Sequence, residues 1–531
     1  MEEKTLVESL QQTHPTYWHE LEWHKLLLDS YAGTGGFRGS VRSPASGYWG
    51  PASEVYSTAA LITPETPVKT NSYLDRHQRE DEPKYSRRIS LAHYRNTCEP
   101  IVDMKLSYLS RKNPTIEGVQ GNAVGEWAQD VDGMGTTLEQ MLKSVIRPRR
   151  AVLGWCPVML DFSAPVPDGV SWAQAMASGI RLNLIPLFPA HMLDWQVTEA
   201  GAFEWVKIGL PRKIRPTFSS QCIEVTDIVV WYPDRVEKYT ISGSGPSAEL
   251  VETPVVAPNP FGRVPVVIFR EKSIADDPVR GVSVLWNIAP VAKRRFNVDS
   301  ELDEFLRSSV FAMLQVPTES PDKVGELIGG NGNAVPIHPE SRQSYAWLSP
   351  SSDVSDMLTR RADDLEADMW RMARMENQRG KQSAVVSGIA RAYEFESTNR
   401  AISDTASTEA RDLQSFLRLA AVPLSVDPEQ ISVTPVSRFD VEEAAREIED
   451  TTGAIALDLG PTATAELKKR LADKLLPNMP DEARMAMAAE IERAAAVDSV
   501  NVGEEPGDGA DDPDEPDADE EDTEDGEGSE S

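Results

Sequence analysis

Histidines, cysteines and glycine-rich turns are where this chain could do chemistry, and each falls short of a working pattern. His19 and His24 lie in HELEWH, which invites comparison with the zinc-protease signature HExxH. That signature works because histidines four apart share one helix face and reach the same metal. Here the spacing is five, so the two rings diverge and an ordinary surface helix is expected. AGTGGFRGS, residues 32–40, has glycines in abundance but no Gly-Lys-Ser/Thr, and it follows a helical pattern rather than a strand. It reads as a loop, not a phosphate cradle. No Walker A, GxSxG or EF-hand loop occurs, and the seven histidines have no triad-like or metal spacing. No catalytic residue, cofactor or metal is therefore expected. Cys98, Cys156 and Cys222 are odd in number and widely spaced, which argues against a disulfide framework or a zinc cluster and for a reducing cytoplasmic origin.

Without a reactive centre, weight shifts to length and charge. The 531 residues exceed the ~250 to 300 at which one core stops growing, so two or more domains or one elongated multilayer subunit are expected. The net charge is -32, but residues 503–531 hold 16 Asp/Glu and no Lys/Arg; removing them leaves -16 on the body. A body of that sign does not grip DNA phosphates over its whole surface. The first residues, MEEKTLVESLQQTH, lack the basic start and apolar run of a signal peptide, and AVLGWCPVML is too short to span a bilayer. A soluble protein is expected.

The elements that organise the chain run from Gly281 to about Asn377. In a first arm Leu285, Ile288/Ala289, Ala292, Phe296, Val298, Leu302, Phe305/Leu306, Val310 and Met313 recur every three or four residues, which predicts an amphipathic helix with Pro290 either kinking it or in its first turn. A second arm repeats the period through Val354, Met357, Leu365, Met369 and Met372. Between them Pro317, Pro321, Gly329, Gly330, Gly332 and Pro336 forbid one continuous helix, and QSYAWL has strand composition.

Upstream, Pro15 to Tyr31 reads as a helix ending at Gly33, Ser40 to Thr70 as an irregular connection, and Tyr73 to Tyr108 as helical again. There Arg87, Arg88 and Arg95 are expected to pair with carboxylates such as Asp81, Glu82 and Glu99 rather than touch DNA. Thr136 to Ile146 predicts a short helix, followed by RPRR and an apolar strand AVLGWCPVMLDF. The runs RLNLIPLF, FEWVKIGL, CIEVTDIVVWY, EKYTI and VPVVIF alternate as strands between turn signals, giving a mixed α+β domain over residues 15–280. Downstream, Thr398 to Ala421, Asp440 to Asp450, Thr462 to Leu475 and Asp481 to Ala496 read as helices. The tail has no aromatic residue and no aliphatic one larger than Ala, so disorder is expected.

The order helix, small β-rich excursion, antiparallel helix and Ser/Thr/Ala-rich helix resembles the stem, clip, stem and tunnel-helix series of tailed-bacteriophage portal proteins, the head-to-tail connectors. The matching stretches are VSVLWNIAPVAKRRFNVDSELDEFLRSSVFAMLQVP, Arg361 to Met375, TNRAISDTASTEARDLQSFLRLA and, earlier, Tyr73 to Ile116, within residues 15 to 425. The resemblance implies an elongated α+β subunit: a mixed wing (1–280), first stem helix (281–315), clip (316–350), second stem helix (351–377), tunnel loop (378–398), tunnel helix (399–425), helical crown (426–500) and acidic tail (501–531).

It also implies a function. Twelve copies would form a ring at one capsid vertex of the virion, assembled in the host cytoplasm beside major capsid and scaffolding proteins. Double-stranded DNA would pass through without sequence specificity, driven inward by the large terminase subunit docked on the clip and later released to head-tail adaptor proteins, with no membrane contact. Lys293, Arg294, Arg295, Arg379, Lys381 and Arg391 become candidate channel cations, although an ordinary inter-helix loop remains the alternative around Arg379. Asp322, Glu326 and Arg342 become candidate docking positions, and Leu302 and Phe305 candidate subunit-packing positions. The alternative is a head-associated adaptor, scaffold or capsid component without a channel. A packaging motor is disfavoured by the missing phosphate loop.

Overall fold

The computed structural model describes residues 3–37, 73–164, 172–215, 217–220, 223–243, 245–310, 313–317, 334–337, 346–348, 352–375, 388–436, 439, 451–455, 457, 460–475 and 481–501. The architecture is mixed α+β with open sheets. Two compact units, Met1–Phe439 and Asp440–Ser531, divide the chain.

The first unit opens with α1 (Glu3–Gln11) and α2 (Tyr17–Ala32). Gly33 ends α2 in the left-handed conformation, φ 62°, its N–H donating to the Asp29 carbonyl. Helix α3 (Glu82–Leu91) is started by Asp81, whose carboxylate accepts from the Lys84 N–H, and α4 (Cys98–Leu109) follows. After β1 (Thr115–Glu117) and α5 (Ala123–Trp127) comes α6 (Leu138–Met141), opened by a capping box between Thr137 and Gln140. A π turn, Leu142–Ile146, carries the chain into α7 (Arg147–Leu153). Pro148 lacks an N–H and crowds the preceding turn, which the wider π turn accommodates. RPRR is thus helical, and Ala151–Leu153, expected in a strand, closes that helix; the strand begins at Trp155. At the junction Gly154 has φ 92°, and a Cβ there would lie 2.3 Å from the Gly281 carbonyl oxygen, so two backbones meet where no side chain fits.

Strand β2 (Trp155–Phe162) is an apolar run buried through Leu160, the centre of an antiparallel sheet between residues 182–186 and 266–270. After β3 (Leu182–Pro186), with α8 (Trp172–Ala177) before it, the chain makes an antiparallel meander of β4 (Met192–Val197), β5 (Phe203–Ile214), β6 (Ile223–Trp231), β7 (Arg235–Ser242) and β8 (Glu249–Leu250). Strand β9 (Val255–Pro258) also pairs with β7. Strand β10 (Val266–Arg270) returns to β2, and β11 (Ser273–Ile274) with β12 (Asp277–Gly281) forms a hairpin.

The two arms follow: α9 (Ile288–Val310), with Pro290 in its first turn, and α10 (Ser352–Met372). Between them β13 (Met313–Pro317) pairs in parallel with β14 (Ala334–Ile337) and antiparallel with β15 (Ala346–Leu348). Helix α11 (Gly388–Ala421) is longer than expected, because it begins at Gly388 rather than near Thr398. Strand β16 (Ser432–Thr434) then pairs with β1. This pairing ties residues 432–434 to the first unit.

One core layer joins both sheets to Leu413, Phe416, Leu417 and Ala420 of α11. Another joins α2, α4 and α7 to the base of the arms, through Leu285, Ile288, Ala292, Met369 and Trp370. In the second unit α12 (Pro461–Leu475) packs on α13 (Asp481–Asn501), with Lys469 and Glu492 paired at 2.6 Å. The helix expected over 440–450 and the acidic tail lie outside the described residues. Among the described residues no helix is long and apolar enough to cross a membrane.

Candidate channel and assembly surfaces

The arms run antiparallel. Arg295 near the start of α9 meets Glu366 near the end of α10 at 3.0 Å, while Met313, just past α9, pairs with Leu348, just before α10. Val298, Ala362 and Leu365 form the small core between them. Arg295 is 2 % exposed and also reaches Asp299 at 3.6 Å and the Thr97 hydroxyl at 3.0 Å. It therefore latches α9 to α10 and to the start of α4, and is unavailable to DNA, contrary to its expected role. Asp299, beside it, is pushed above the usual carboxylate range by burial.

The other expected residues separate. Lys293 is half-buried, with its ammonium 5.7 Å from the centre of the Tyr73 ring, and Arg294 is exposed. Leu302 and Phe305 are half-buried, while Leu306 beside them is 46 % exposed. On α10, Val354 and Met357 are exposed. An apolar stripe thus remains partly uncovered along both arms within one subunit. Arg391 falls in α11, its side chain outside the description, and Arg379, Lys381, Asp322, Glu326 and Arg342 lie outside the described residues. Upstream, Arg88 pairs with Glu80 at 2.8 Å rather than with Asp81, Glu82 or Glu99, and Glu82 is taken by Arg76 at 3.0 Å. His19 is exposed and His24 buried, on different faces of α2. Burial takes the His24 pKa down to about 4, only partly offset by its bond with the Leu153 backbone.

Sequence reading missed a buried charge cluster that ties α11 to the body. Glu409 of α11, 2 % exposed, accepts from Arg147 at 2.7 Å and from Arg150, both on α7 and both buried. Arg150 also faces Glu271 at 3.6 Å, and Glu271 pairs with Lys105 of α4. One turn along α11, Asp412 accepts from Arg270 at 2.7 Å. Burial alone pushes the Glu409 carboxyl up, but the Arg150 and Arg147 guanidiniums outweigh it and hold the group below its usual range. A signal existed: Glu409 falls on the same stripe as Ile402, Ala406, Leu413 and Phe416, and a carboxylate on an apolar stripe requires a buried cation.

Where α10 ends, Arg374 adopts φ 58° and its carbonyl accepts from the Thr398 hydroxyl of α11 at 2.5 Å. These two residues border a cleft of about 370 Å³ that also takes in Lys105, Lys272, Trp286 and Met372. The arrangement therefore offers paired arms, a β element at their tips, and a long helix clamped to the body. Among the described residues no three His, Cys, Asp or Glu side chains are grouped so as to hold a metal ion. No family model matches the chain, and no curated protein matches it in sequence.

Proposed function

We propose that this chain is the portal subunit of a tailed bacteriophage: copies close into a ring at one capsid vertex, DNA enters through it during packaging and leaves through it during ejection, and tail or adaptor proteins attach to it. The observation that carries the reading is the antiparallel arm pair, rooted in the body core, carrying a small sheet at its tips and leaving Leu306, Val354 and Met357 uncovered. Two long arms with an unfilled apolar stripe are what sideways packing of identical subunits requires. The sheet at the tips is the surface for terminase and then for tail proteins. No catalytic role is proposed; the mechanism is passive, with force supplied by the terminase.

The charge distribution supports a wall that does not hold DNA. With -16 on the body and a screening length of ~8 Å in physiological salt, a passing duplex feels mainly the nearest surface. Attraction is left to Arg294, Lys293 and the cations Arg379, Lys381 and Arg391.

The test is mass measurement and a negative-stain top view of the purified protein, with ATPase and duplex-binding assays. A large hollow ring, no hydrolysis and weak DNA binding are expected, and Leu302→Asp or Phe305→Asp should abolish the ring or unfold the subunit. A stable monomer under all packaging-like conditions would overturn the reading. Nanomolar duplex affinity falling ~10³-fold or more between about 50 and 200 mM salt would overturn the passive mechanism.

A further inference from the structure

The six-stranded sheet has two ends that complement each other but cannot meet within one subunit. At one end the β5–β6 hairpin outruns its neighbours. Strand β4 leaves β5 at Ile208 and β7 leaves β6 at Val225, while β5 and β6 stay paired out to Ile214 and Ile223. At the tip Phe218 is 92 % exposed. Its turn is held by the Ser220 N–H donating to the Thr217 carbonyl at 3.1 Å and by Arg215 Nε donating to the Ser220 carbonyl at 3.1 Å. Arg212 and Lys213 are paired with Asp227 and Glu224 at 2.8 and 3.2 Å. Arg215 is exposed and, among the described residues, has no carboxylate partner.

At the other end the β4–β5 turn and the β11–β12 hairpin border an open cleft of about 600 Å³, its apolar lining supplied by Val197, Ala200, Ile274 and Pro278. Its rim is acidic. Glu199 and Asp276 have no cationic partner among the described residues, whereas Asp277 is held by Arg280 at 3.0 Å. The two arginines in the lining, Arg270 and Arg411, are turned onto Asp412 at 2.7 and 3.6 Å. An exposed aromatic beside an arginine without a carboxylate partner among the described residues thus stands at the opposite end of the same sheet from an apolar cleft whose carboxylates Glu199 and Asp276 lack a cationic partner there. Aromatic residues and arginine are the side chains that most often anchor protein interfaces.

Strand β5 has 12 residues and joins the two ends. At a rise of ~3.3 Å per residue it holds tip and cleft ~40 Å apart, so a subunit cannot fill its own cleft. We propose that Phe218 of one copy of this chain docks in that cleft on the next copy, with Arg215 against Glu199 and Asp276. The inference rests on the ring reading above and identifies one contact of that ring. Because the two copies use different surfaces, the contact is head-to-tail, the kind that closes into a ring when the rotation permits.

The experiment compares the assembly of the wild type with Phe218→Glu, Arg215→Glu and Arg215→Glu combined with Asp276→Lys, by mass photometry across a concentration series. A mixture of two chains, one carrying Phe218→Cys and the other Ala275→Cys, both with Cys222→Ser, is then oxidised. Expected are unchanged thermal unfolding for Phe218→Glu, at least tenfold weaker assembly for Phe218→Glu and Arg215→Glu, recovery with Asp276→Lys, and disulfide-linked dimers in the mixture. A wild-type ring with undiminished assembly of both single variants and no disulfide would overturn the docking and leave the ring reading standing. A wild type that never assembles would overturn both.

Discussion

Two of the places where the described residues bury charge, the α11 junction and the arms, differ in how completely water is removed. At the junction of α11 with the body, the Glu409, Arg147 and Arg150 side chains are 3, 2 and 0 % exposed. Along the arms Arg295 is as deeply buried, but its carboxylates are not: Glu366 is 23 % and Asp299 16 % exposed. The junction therefore depends on an uninterrupted set of partners, since each buried charge would be very costly alone. The arm latch keeps one side near solvent, where a lost partner can be replaced by water. Helix α11 is accordingly fixed to the body, while the arms are joined by a weaker tie.

The sharpest break of this comparison is Glu409→Ala, which strands two buried guanidiniums. A loss of ~3 to 5 kcal/mol is expected, a large part of an ordinary domain's ~5 to 15, read as a lower urea midpoint or as insoluble protein. If the variant unfolds like wild type, the junction does not hold α11.

Acid acts with opposite sign on the buried histidines of the body and on the arm latch. His24 is buried beside α7, and its pKa falls from 6.5 to about 4. The unfolded chain therefore binds more protons between those values; stability is full above 6.5 and is lost as pH falls toward 4, by up to ~3 kcal/mol. His191, lowered to about 4 by burial, acts in the same direction. Asp299 is raised, so its protonation favours the folded arms as pH falls below its folded pKa. The measurement is melting temperature against pH. His24→Gln, which keeps a donor for the Leu153 backbone, should flatten the fall between 6.5 and 4; an unchanged slope would remove His24 from the account.

Arg295→Ala should cost less than Glu409→Ala, roughly 1 to 2 kcal/mol, because Glu366 and Asp299 can turn to water. Equal losses for the two variants in denaturant titrations would erase the distinction between dry junction and half-wet latch. The smallest effect is a gain. Arg374 sits at φ 58° where α10 ends, a conformation glycine adopts without strain. Arg374→Gly should stabilise by ~0.4 to 1 kcal/mol, or leave stability unchanged if the more flexible unfolded chain offsets the relief; a loss beyond ~1 kcal/mol would show that the arginine side chain makes a contact of consequence at the cleft.

Local pattern fixed much of the fold before any contact was known. The arms were legible because Leu285, Ile288, Ala292 and Met369 recur at helical spacing, the Gly/Pro break between them was legible from the backbone limits of those residues, and the body strands from alternation. His19 and His24 were separable as a metal pair by spacing alone. Tertiary structure decided what depends on distant partners. RPRR carried no assignment beyond its place before the strand, and it is Glu409, far along the chain, that neutralises Arg147 and Arg150. Arg295 looked like a surface cation until Glu366 and Thr97 enclosed it. Residues 432–434 joined the body through pairing with 115–117 and through the Val433 N–H, which donates to Gln414 of α11. Period and turn chemistry are properties of neighbours in sequence, whereas the free energy of a charge depends on which groups replace its water, and only the folded chain determines that.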